Sequence, residues 1–587
     1  MPKRPKRKVT RKKTYVEQDS SVSDDQEDSA SDTYDELYMT ESELNSSSEE
    51  EDITYKRLSP GKKKQKLSTA ESKTNVENKL IETGSDKLVW KEIKASVKSA
   101  RTSATTNISK RISGPTEYAK QHIKKGQIKA AFQLIIDQHM RDHIISCTEE
   151  EASKVLETKW KLTRIKLDAF IAVLYARGAY QTKNLDVSYL WNQIWGPPFF
   201  SNTMSRCDFT DILRFLRFDM KSERKQCSKT SKFSMVSAVW DRFIENSQKC
   251  YNPGTYINID EQLFPSKIKC SFNQYMSSKA VKHGIKFWLA CDVKSKYIIN
   301  GFPYLGNDDE EEENSIPLGE SVVLKLMEPF TGCGRNVTID PFFTSLSLIK
   351  KLLGKKTTTV GKIRENKRDL AKITKKEADK MTQFTTKLYM SNEITLTVYK
   401  WKVTKKVCVL SSMHKEIDIA DNVERTPGTV RFYNDTKFPV RVIDQMSRKY
   451  SVKSKSHRWP LQIFFNILDL AAINAWILYK RITGEDISRH EFLFQLAIQL
   501  AAEYKESQKK KLPIKQPKIS SSLMRKTCQI KYCKDYKASK ICSKCERYVC
   551  GQCTFDNKII CKKCILRKNE KRTILVRFPY FLPIIYV

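Results

Sequence analysis

The chain has 587 residues and is strongly basic, with 106 Lys and Arg against 68 Asp and Glu and a formal net charge of +38. This length leaves room for several domains with buried cores, and so large a positive charge suits a polyanionic partner such as nucleic acid. Residues 1–13 are basic with no apolar stretch behind them, so we expect no secretory signal. In an intracellular protein, the 16 cysteines are interpreted as thiols and metal ligands and not as disulfides.

Residues 1–125 are predicted to be disordered. Basic blocks at 2–8 and 56–66 flank the stretch 17–52, which is rich in Ser, Asp and Glu and has almost no large apolar residues to drive packing. The basic blocks are typical of nuclear import or of phosphate contact, and we expect a nuclear protein. Two interpretations of the acidic stretch stay open: a phosphorylatable tail that competes with DNA for the basic surface, and a tail that only keeps the chain soluble.

A helical region is predicted to follow over 126–255, with ordered structure beginning near Ile128. Apolar residues recur at helical spacing within 130–136, 162–180 and 212–219. This region therefore differs in pattern from the one that comes after it.

Short strands and helices are predicted over 256–485, which indicates an α/β domain. The most apolar run in the chain, 461–479, contains Asn466, Asp469 and Asn474, so it suits a buried helix better than a membrane span, and we expect no membrane partner. The predicted strands are 256–259, 284–291, 297–299, 337–339 and 408–410, with a helix at 346–353.

Two aspartates end apolar strands in this region. Asp260 follows the strand 256–259, and Asp340 follows 337–339. Cutting and rejoining a phosphodiester is helped by two hard cations, and carboxylates are the usual protein ligands of Mg²⁺. Neighbouring strands would bring both side chains into one cleft. The alternative, that each aspartate only caps a turn or a helix, is common for a single site.

Three segments, 257–262, 337–345 and 433–446, resemble in their order and wording the piggyBac transposases. The resemblance implies an RNase H-like α/β core over 256–485, preceded over 126–255 by a helical domain for dimerisation and DNA binding. It also implies DNA as the partner, a homodimer acting on paired transposon ends, and TTAA targets. Further matching segments are 283–286, 299–306 and 317–320.

The third segment departs from the family where a catalytic carboxylate is expected. Aligned without gaps, Arg441 occupies the position of the family's third catalytic aspartate, and Asp444 that of the carboxylate three residues later. An arginine cannot bind Mg²⁺ and stays charged, and it would pair with Asp260 or Asp340. The catalytic set Asp260, Asp340 and Asp444 is therefore incomplete, and Mg²⁺ is expected only if the chain is catalytically competent.

Two further segments that resemble the family supply candidate DNA contacts. Basic side chains in 360–368 are predicted to contact phosphate or base edges, with a solvated strand edge as the alternative. In 457–460 the arginine is a candidate phosphate contact, whereas the tryptophan is expected to pack against the helix that follows. The candidates are Arg364, Asn366, Lys367 and Arg368 in the first segment and Arg458 in the second.

Eight cysteines form four closely spaced pairs within 526–566, after a predicted linker over 486–525 and before a tail, 567–587, with no assigned role. Four thiolates make a closed tetrahedral zinc site, so eight predict two Zn²⁺ ions. The alternation of the pairs, with the family's cysteine-rich domain, favours a cross-brace in which the first and third pairs hold one ion. Basic residues between the ligands favour DNA over a peptide partner. The ligands are Cys528, Cys533, Cys542, Cys545, Cys550, Cys553, Cys561 and Cys564.

The predicted function is that of a nuclear, zinc-containing DNA-binding protein derived from a piggyBac-type transposase and lacking full strand transfer. Two alternatives stay open. One is an active or residually active DDE-type DNA transposase, favoured by the three aspartates that remain. The other is a chromatin-associated scaffold that uses its zinc module for contacts with chromatin proteins.

Overall fold

The computed structural model of the chain describes residues 80–83, 88–95, 112–222, 224, 232–268, 270–276, 283–306, 316–365, 370, 381–511, 526–530, 533, 536–538, 540–543, 545, 547–555 and 558–561. Asn366, Lys367, Arg368, Cys564 and the tail 567–587 lie outside the described residues. What the sequence predicts for them stays a prediction.

Helices dominate residues 117–250. They are α1 Glu117–His122, α2 Ile128–Ile135, α3 Gln138–Leu156, α4 Arg164–Ala179, α5 Val187–Leu190, α6 Pro198–Thr203, α7 Arg206–Phe215 and α8 Ser234–Cys250. Helices α3, α4 and α7 begin after Asp137, Thr163 and Ser205, whose side chains each accept a hydrogen bond from the backbone N–H three residues later. Such caps satisfy donors that a helix end leaves unpaired. The helical patterns at 130–136 and 162–180 are confirmed apart from residues at their ends, whereas that at 212–219 is helical only as far as Phe215.

A mixed sheet forms the α/β part of the chain. Its described strands, with the short pair β3 and β4, are β1 Leu80–Thr83, β2 Leu88–Ile93, β3 Gly114–Pro115, β4 Tyr251–Asn252, β5 Tyr256–Pro265, β6 Asn273–Tyr275, β7 His283–Asp292, β8 Ile298–Pro303, β9 Asn336–Ile339, β10 Thr358–Lys362, β11 Thr385–Ser391, β12 Ile394–Lys402 and β13 Lys405–Ser411. β5 and β8 each pair antiparallel with β7, whereas β9 runs parallel to β5 and β10 parallel to β9. The order β8-β7-β5-β9-β10 confirms the predicted RNase H-like fold.

Residues 80–93 correct the prediction that the chain is disordered up to 125. β1 and β2 pair antiparallel, and Ile93 of β2 lies opposite Leu388 of β11, so the sheet continues from β10 in the order β13-β12-β11-β2-β1. Trp90 is fully buried in a cluster with Ile349 and Leu396. The polar and charged composition of residues 1–125 as a whole concealed this short strand, and the residues that bury Trp90 are distant in sequence.

Six described helices follow β8, β9 and β13 in chain order. They are α9 Leu318–Met327, α10 Leu346–Gly354, α11 Gly428–Thr436, α12 Pro439–Lys449, α13 Trp459–Thr483 and α14 Arg489–Lys511. Helix α13 is long and apolar enough to meet the criteria for a membrane span, and 94% of its most apolar window is buried inside the protein. Its Asn466 and Asn474 hydrogen-bond to Gln262 and to the backbone of Ile298. The predicted buried helix is confirmed.

Helix α14 occupies the first part of the predicted linker over 486–525. Phe492, Leu496 and Leu500, spaced four residues apart on one face of the helix, are buried in the main hydrophobic core. Because the rest of the helix carries many charged residues, the average hydropathy of the segment is low and does not show this periodicity. The linker prediction is therefore wrong for residues 489–511, and the boundary between two compact units falls between Ser507 and Gln508.

The second unit consists, in its described part, of short antiparallel hairpins. The strands are β14 Lys526–Thr527, β15 Lys537–Ala538, β16 Lys540–Ile541, β17 Tyr548–Val549, β18 Thr554–Phe555 and β19 Lys558–Cys561, paired in that order. Its described core contains only Ile530, Ala538 and Val549 besides cysteines. An apolar core of this size needs a further source of stability, such as bound metal.

Candidate functional site

Asp260 and Asp340 lie side by side on neighbouring parallel strands. Ile259 of β5 is in register with Ile339 of β9, so the aspartate that follows each isoleucine lies where the parallel pairing of the two strands stops. β5 continues beside β7 to Pro265, so the prediction that Asp260 ends its strand is wrong. Asp260 is buried, with 3% of its surface exposed, and its Oδ1 accepts a hydrogen bond from the Glu261 backbone N–H at 2.8 Å. The Oδ1 of Asp340 accepts one from the Phe342 backbone N–H at 2.9 Å. The predicted juxtaposition of the two carboxylates is thus present.

Burial raises the pKa of Asp340 to about 7, and the negative charges of Asp260 and Glu261 add to this effect. The charged guanidinium of Arg441 and the hydrogen bond from Phe342 act in the opposite direction. Asp340 therefore keeps its proton to a much higher pH than an ordinary aspartate does.

The Asp340→Asn variant is expected to be more stable than the unmodified chain at pH 8 and similar to it at pH 4. A carboxyl whose pKa is raised by folding stabilises the fold fully below its unfolded pKa of 3.8, and this stability is lost as pH rises towards about 7. We expect a gain on the order of 2 kcal/mol at pH 8, below the roughly 4 kcal/mol that the whole shift implies. Urea unfolding of both proteins at the two pH values measures it. An equal gain in stability at pH 8 and pH 4 would show that the titration of Asp340 is not the cause of the gain.

Arg441 pairs with Asp260. Its Nε lies 3.2 Å from the Asp260 Oδ2, and the Arg441 side chain is 41% exposed against 5% for Asp260. Burial lowers the pKa of Arg441, but the attraction of Asp260 outweighs burial and leaves this pKa raised. The guanidinium is therefore a permanent cation placed against a carboxylate that would otherwise be available to a metal ion.

Two side chains of β5 hold the helix that carries Arg441, and neither was singled out from sequence. The Asn258 Oδ1 accepts the Val440 backbone N–H at 3.1 Å, at the beginning of α12. Gln262, fully buried, donates to the Ser447 hydroxyl at 3.4 Å near the end of the same helix. In sequence they are only polar residues at alternating positions beside Asp260, which is the signal that could have found them.

Asp444 has a different partner from the one expected of a metal ligand. Its carboxylate accepts hydrogen bonds from Arg448 Nε at 3.2 Å and Nη2 at 2.6 Å, one helical turn later. Within the described residues, which include all three aspartates, Asp260, Asp340 and Asp444 do not bring three carboxylate oxygens within 4.8 Å of one another. The donor set of this site, two carboxylates of which one is paired with a guanidinium, and a third aspartate paired with Arg448, does not fit a divalent metal centre.

Four of the eight predicted cysteine ligands come together. The sulfur atoms of Cys528, Cys533, Cys550 and Cys553 all lie within 4.8 Å of one another. These are the first and third pairs, which the cross-brace assigns to one ion. Four convergent thiols in a unit with a small core fit a tetrahedral zinc site, and the cluster could hold a metal ion.

The second set of cysteines is described only in part. Cys542 is fully buried and Cys545 is partly buried against the same small core. Cys561 ends β19, and the structure describes its backbone alone, while Cys564 lies outside the described residues. A second ion held by this set stays a prediction.

Comparison with known proteins decides the family. A family profile described as Transposase IS4 matches residues 99–476. The human PiggyBac transposable element-derived protein 3 is 24% identical over 44% of this chain and 46% of its own length. The human PiggyBac transposable element-derived protein 2 is 24% identical over 48% of this chain and 49% of its own length. The chain belongs to the piggyBac-type transposase family.

A solved piggyBac transposase has the same fold. The cryo-EM structure of a piggyBac transposase synaptic complex with hairpin DNA superimposes with a TM-score of 0.66 and 28% identity, covering 77% of this chain and 100% of the transposase chain. By contrast, the chain spans about half the length of the curated piggyBac-derived relatives named above. The resemblance inferred from the sequence segments is confirmed.

Gly361, in the piggyBac-like segment 360–368, is required by close packing. A Cβ on Gly361 would lie 2.4 Å from the Thr344 Oγ1, whose hydroxyl donates to the Asp340 carbonyl at 2.8 Å. Glycine therefore lets β10 approach the turn that carries Asp340. The two piggyBac-like segments 337–345 and 360–368 thus contact each other through Thr344 and Gly361.

The Gly361→Ala variant is expected to be less stable by about 1–3 kcal/mol, because the added methyl group overpacks a buried contact. Gly354→Ala is a matched control, since a Cβ on Gly354 would meet nothing within 4 Å, and alanine there should be neutral or stabilising by up to about 1 kcal/mol. Urea unfolding compares the two variants with the unmodified chain. Equal effects of both changes would show that contact with Thr344 is not the reason for this glycine.

The candidate DNA contacts are only partly located. Arg364 is exposed just beyond the end of β10. Arg458 donates instead to the carbonyls of Leu213 and Leu216 at the end of α7, and burial lowers its pKa to about 10. The structure thus gives Arg458 an internal role in joining α7 to the start of α13. Trp459 is the first residue of α13 and packs against the rings of Phe233 and Phe272, so its role is in packing, but these partners lie outside the helix that was expected to contact it.

Proposed function

We propose that this chain is a nuclear DNA-binding protein derived from a piggyBac-type transposase and lacking full strand transfer. The observation that carries the proposal is the contact between Arg441 and Asp260. A cation bound to one of the two neighbouring carboxylates opposes a second, metallic cation, because both would compete for the same oxygens. The remaining aspartate of the expected set, Asp444, is engaged by Arg448.

DNA binding is supported by charge and by family. The net charge of +38 favours a polyanion, and the solved piggyBac transposase is described in a synaptic complex with hairpin DNA. A synaptic complex of that protein also supports the proposal that this chain pairs DNA ends as a homodimer. The basic blocks at 2–8 and 56–66 support nuclear import.

The C-terminal cysteine unit is proposed to hold two Zn²⁺ ions and to contact DNA. The convergence of Cys528, Cys533, Cys550 and Cys553 supports the first ion, and the spacing of the other four cysteines in the sequence supports the second. Zinc here would stabilise a small unit and leave no open coordination position for chemistry, because four thiolates complete a tetrahedral site.

A combined binding and cleavage assay tests the proposal. We expect the unmodified chain to bind a terminal-repeat duplex flanked by TTAA, with an affinity that falls steeply as salt rises, and to leave the duplex uncut in Mg²⁺ or Mn²⁺. Fluorescence anisotropy measures binding and a denaturing gel measures nicking. Absence of binding to any duplex would refute the DNA-binding assignment, and metal-dependent nicking would refute the loss of catalysis.

An active transposase is the second candidate function. It is favoured by the adjacent positions of Asp260 and Asp340, which directly follow the last parallel pair of β5 and β9, Ile259 and Ile339. If the unmodified chain cuts, Asp444 must exchange Arg448 for a metal ion, and Asp444→Asn should then abolish cutting.

A further inference from the structure

An exposed aromatic side chain lies beside the two carboxylates. Phe342 is 41% exposed, although it follows Asp340 by only two residues and donates its backbone N–H to that carboxylate. Its ring stacks on Trp288, with centroids 5.5 Å apart and planes at 18°, and meets the edge of Phe343 at 5.1 Å. One side of the Phe342 ring is thus supported, and the exposed remainder faces solvent next to the site.

The supporting residue is itself rigidly held. Trp288 is 1% exposed, and its indole N–H has no hydrogen-bond partner in the described part of the chain, so it contributes only its ring. The Lys286 Nζ lies 3.9 Å from the centre of that ring and 5.3 Å from the Phe342 ring, and it pairs with Glu261 at 2.8 Å. These contacts fix the stacked pair of rings in position.

We infer that Phe342 is a stacking platform for an unpaired base at a DNA end, an inference that rests on the proposed DNA-binding function. Bases stack on aromatic side chains regardless of sequence, because every base has a π face. A base on Phe342 would bring its phosphate towards the carboxylates, where repulsion normally calls for metal ions. Here the guanidinium of Arg441 supplies positive charge at that place.

The charge of the site opposes a nucleotide less in this chain than it would with an aspartate at position 441. Two carboxylates and one guanidinium give a formal charge of −1, whereas an aspartate at 441 would give −3. This smaller repulsion is the reason to expect that the platform receives an unpaired nucleotide without added metal. Lys286 lies close to the Phe342 ring and Arg441 lies against Asp260. An apolar peptide partner would gain little binding energy from these two cations.

Duplexes that differ only in their ends test this inference. We expect the unmodified chain, without added Mg²⁺, to bind a duplex with a four-nucleotide overhang more tightly than the blunt duplex, by at least about fivefold, the lower end of what one stacked base contributes. Phe342→Leu keeps an apolar side chain of similar volume without a π face and should lose the preference. Phe342→Trp should keep it, and Tyr189→Ala, which removes an exposed aromatic side chain elsewhere, should not change it.

The outcomes separate this inference from the proposed function. Binding of both duplexes with equal affinity, or a preference that survives in Phe342→Leu, overturns the stacking platform and leaves DNA binding intact. Failure to bind either duplex overturns both. Phe342-dependent binding of a trimethyl-lysine peptide, with no overhang preference, would assign the rings to protein recognition and would also overturn it.

Discussion

The Arg441→Asp variant is expected to nick a TTAA-flanked terminal-repeat duplex in Mg²⁺ or Mn²⁺, whereas the unmodified chain binds without cutting. The change removes the cation that pairs with Asp260 at 3.2 Å and puts a carboxylate beside two others. One electrostatic group at a reacting centre is worth on the order of 10²–10³ in rate, so cleavage should rise at least about 100-fold above background. A denaturing gel with end-labelled DNA measures it.

The same variant should acquire stabilisation by metal. Without Mg²⁺ or Mn²⁺, three neighbouring carboxylates repel one another, and Asp260 loses its ion-pair partner, so the thermal midpoint should fall. Added metal should raise the midpoint of the variant and leave that of the unmodified chain unchanged, because only a ligand that binds the folded state stabilises it. Differential scanning fluorimetry across a metal titration measures this.

Arg425→Asp is the matched control for charge. Arg425 is exposed on the loop before α11, and its replacement changes the net charge by the same amount without touching the site. A variant at 441 that gains neither cutting nor metal stabilisation, on DNA that it binds, would show that Arg441 is not the change that removed catalysis. Metal stabilisation without cutting would place a further lesion elsewhere in the chain.

The Cys550→Ser variant is expected to lose at least one of two zinc ions per chain and to unfold the C-terminal unit. The apolar core of that unit is too small to replace the metal, and structural zinc contributes apparent binding free energies of about 10–16 kcal/mol in small domains. Elemental analysis after dialysis measures the zinc content, and limited proteolysis measures the accessibility of residues after Gln508.

Cys207→Ser is the control for loss of a thiol. Cys207 is a free, exposed cysteine in α7 of the first unit, so its replacement should change neither zinc content nor proteolysis. Unchanged zinc in Cys550→Ser would mean that the cluster of Cys528, Cys533, Cys550 and Cys553 is not a metal site. A loss of both ions would indicate that the two predicted sites fold together, as a cross-brace requires.

Local order in the sequence was enough to find part of the central core: β7 and β9, and parts of β5, β8 and β13. The runs 256–259 and 337–339, which precede Asp260 and Asp340, contain β-branched residues that fit a buried pleated surface, whereas β6, β10, β11 and β12 were not predicted. Strands β1 and β2 were not predicted, because a short strand flanked by polar residues is stabilised by pairing with neighbouring strands, here with each other and with β11. Its own sequence pattern contributes little. In α14 the buried residues Phe492, Leu496 and Leu500 recur every four residues. Charged residues dominate the composition of that segment, and it was therefore predicted to be a linker.

The sequence by itself determined the ancestry of the chain and the arginine at the third carboxylate position, and its resemblance to the family implied the RNase H-like core and, with the alternation of the pairs, the grouping of four cysteines. These depend on residue identity and spacing, which a sequence states directly. Only the tertiary structure decided that Arg441 bonds to Asp260 and that Arg458 is used internally, whereas Asp444 and Arg448 pair one helical turn apart within α12. The packing of α12 against β5, which Asn258 and Gln262 hold, places Arg441 against Asp260. Arg458 finds its partners, the carbonyls of Leu213 and Leu216, in a helix that is distant in sequence.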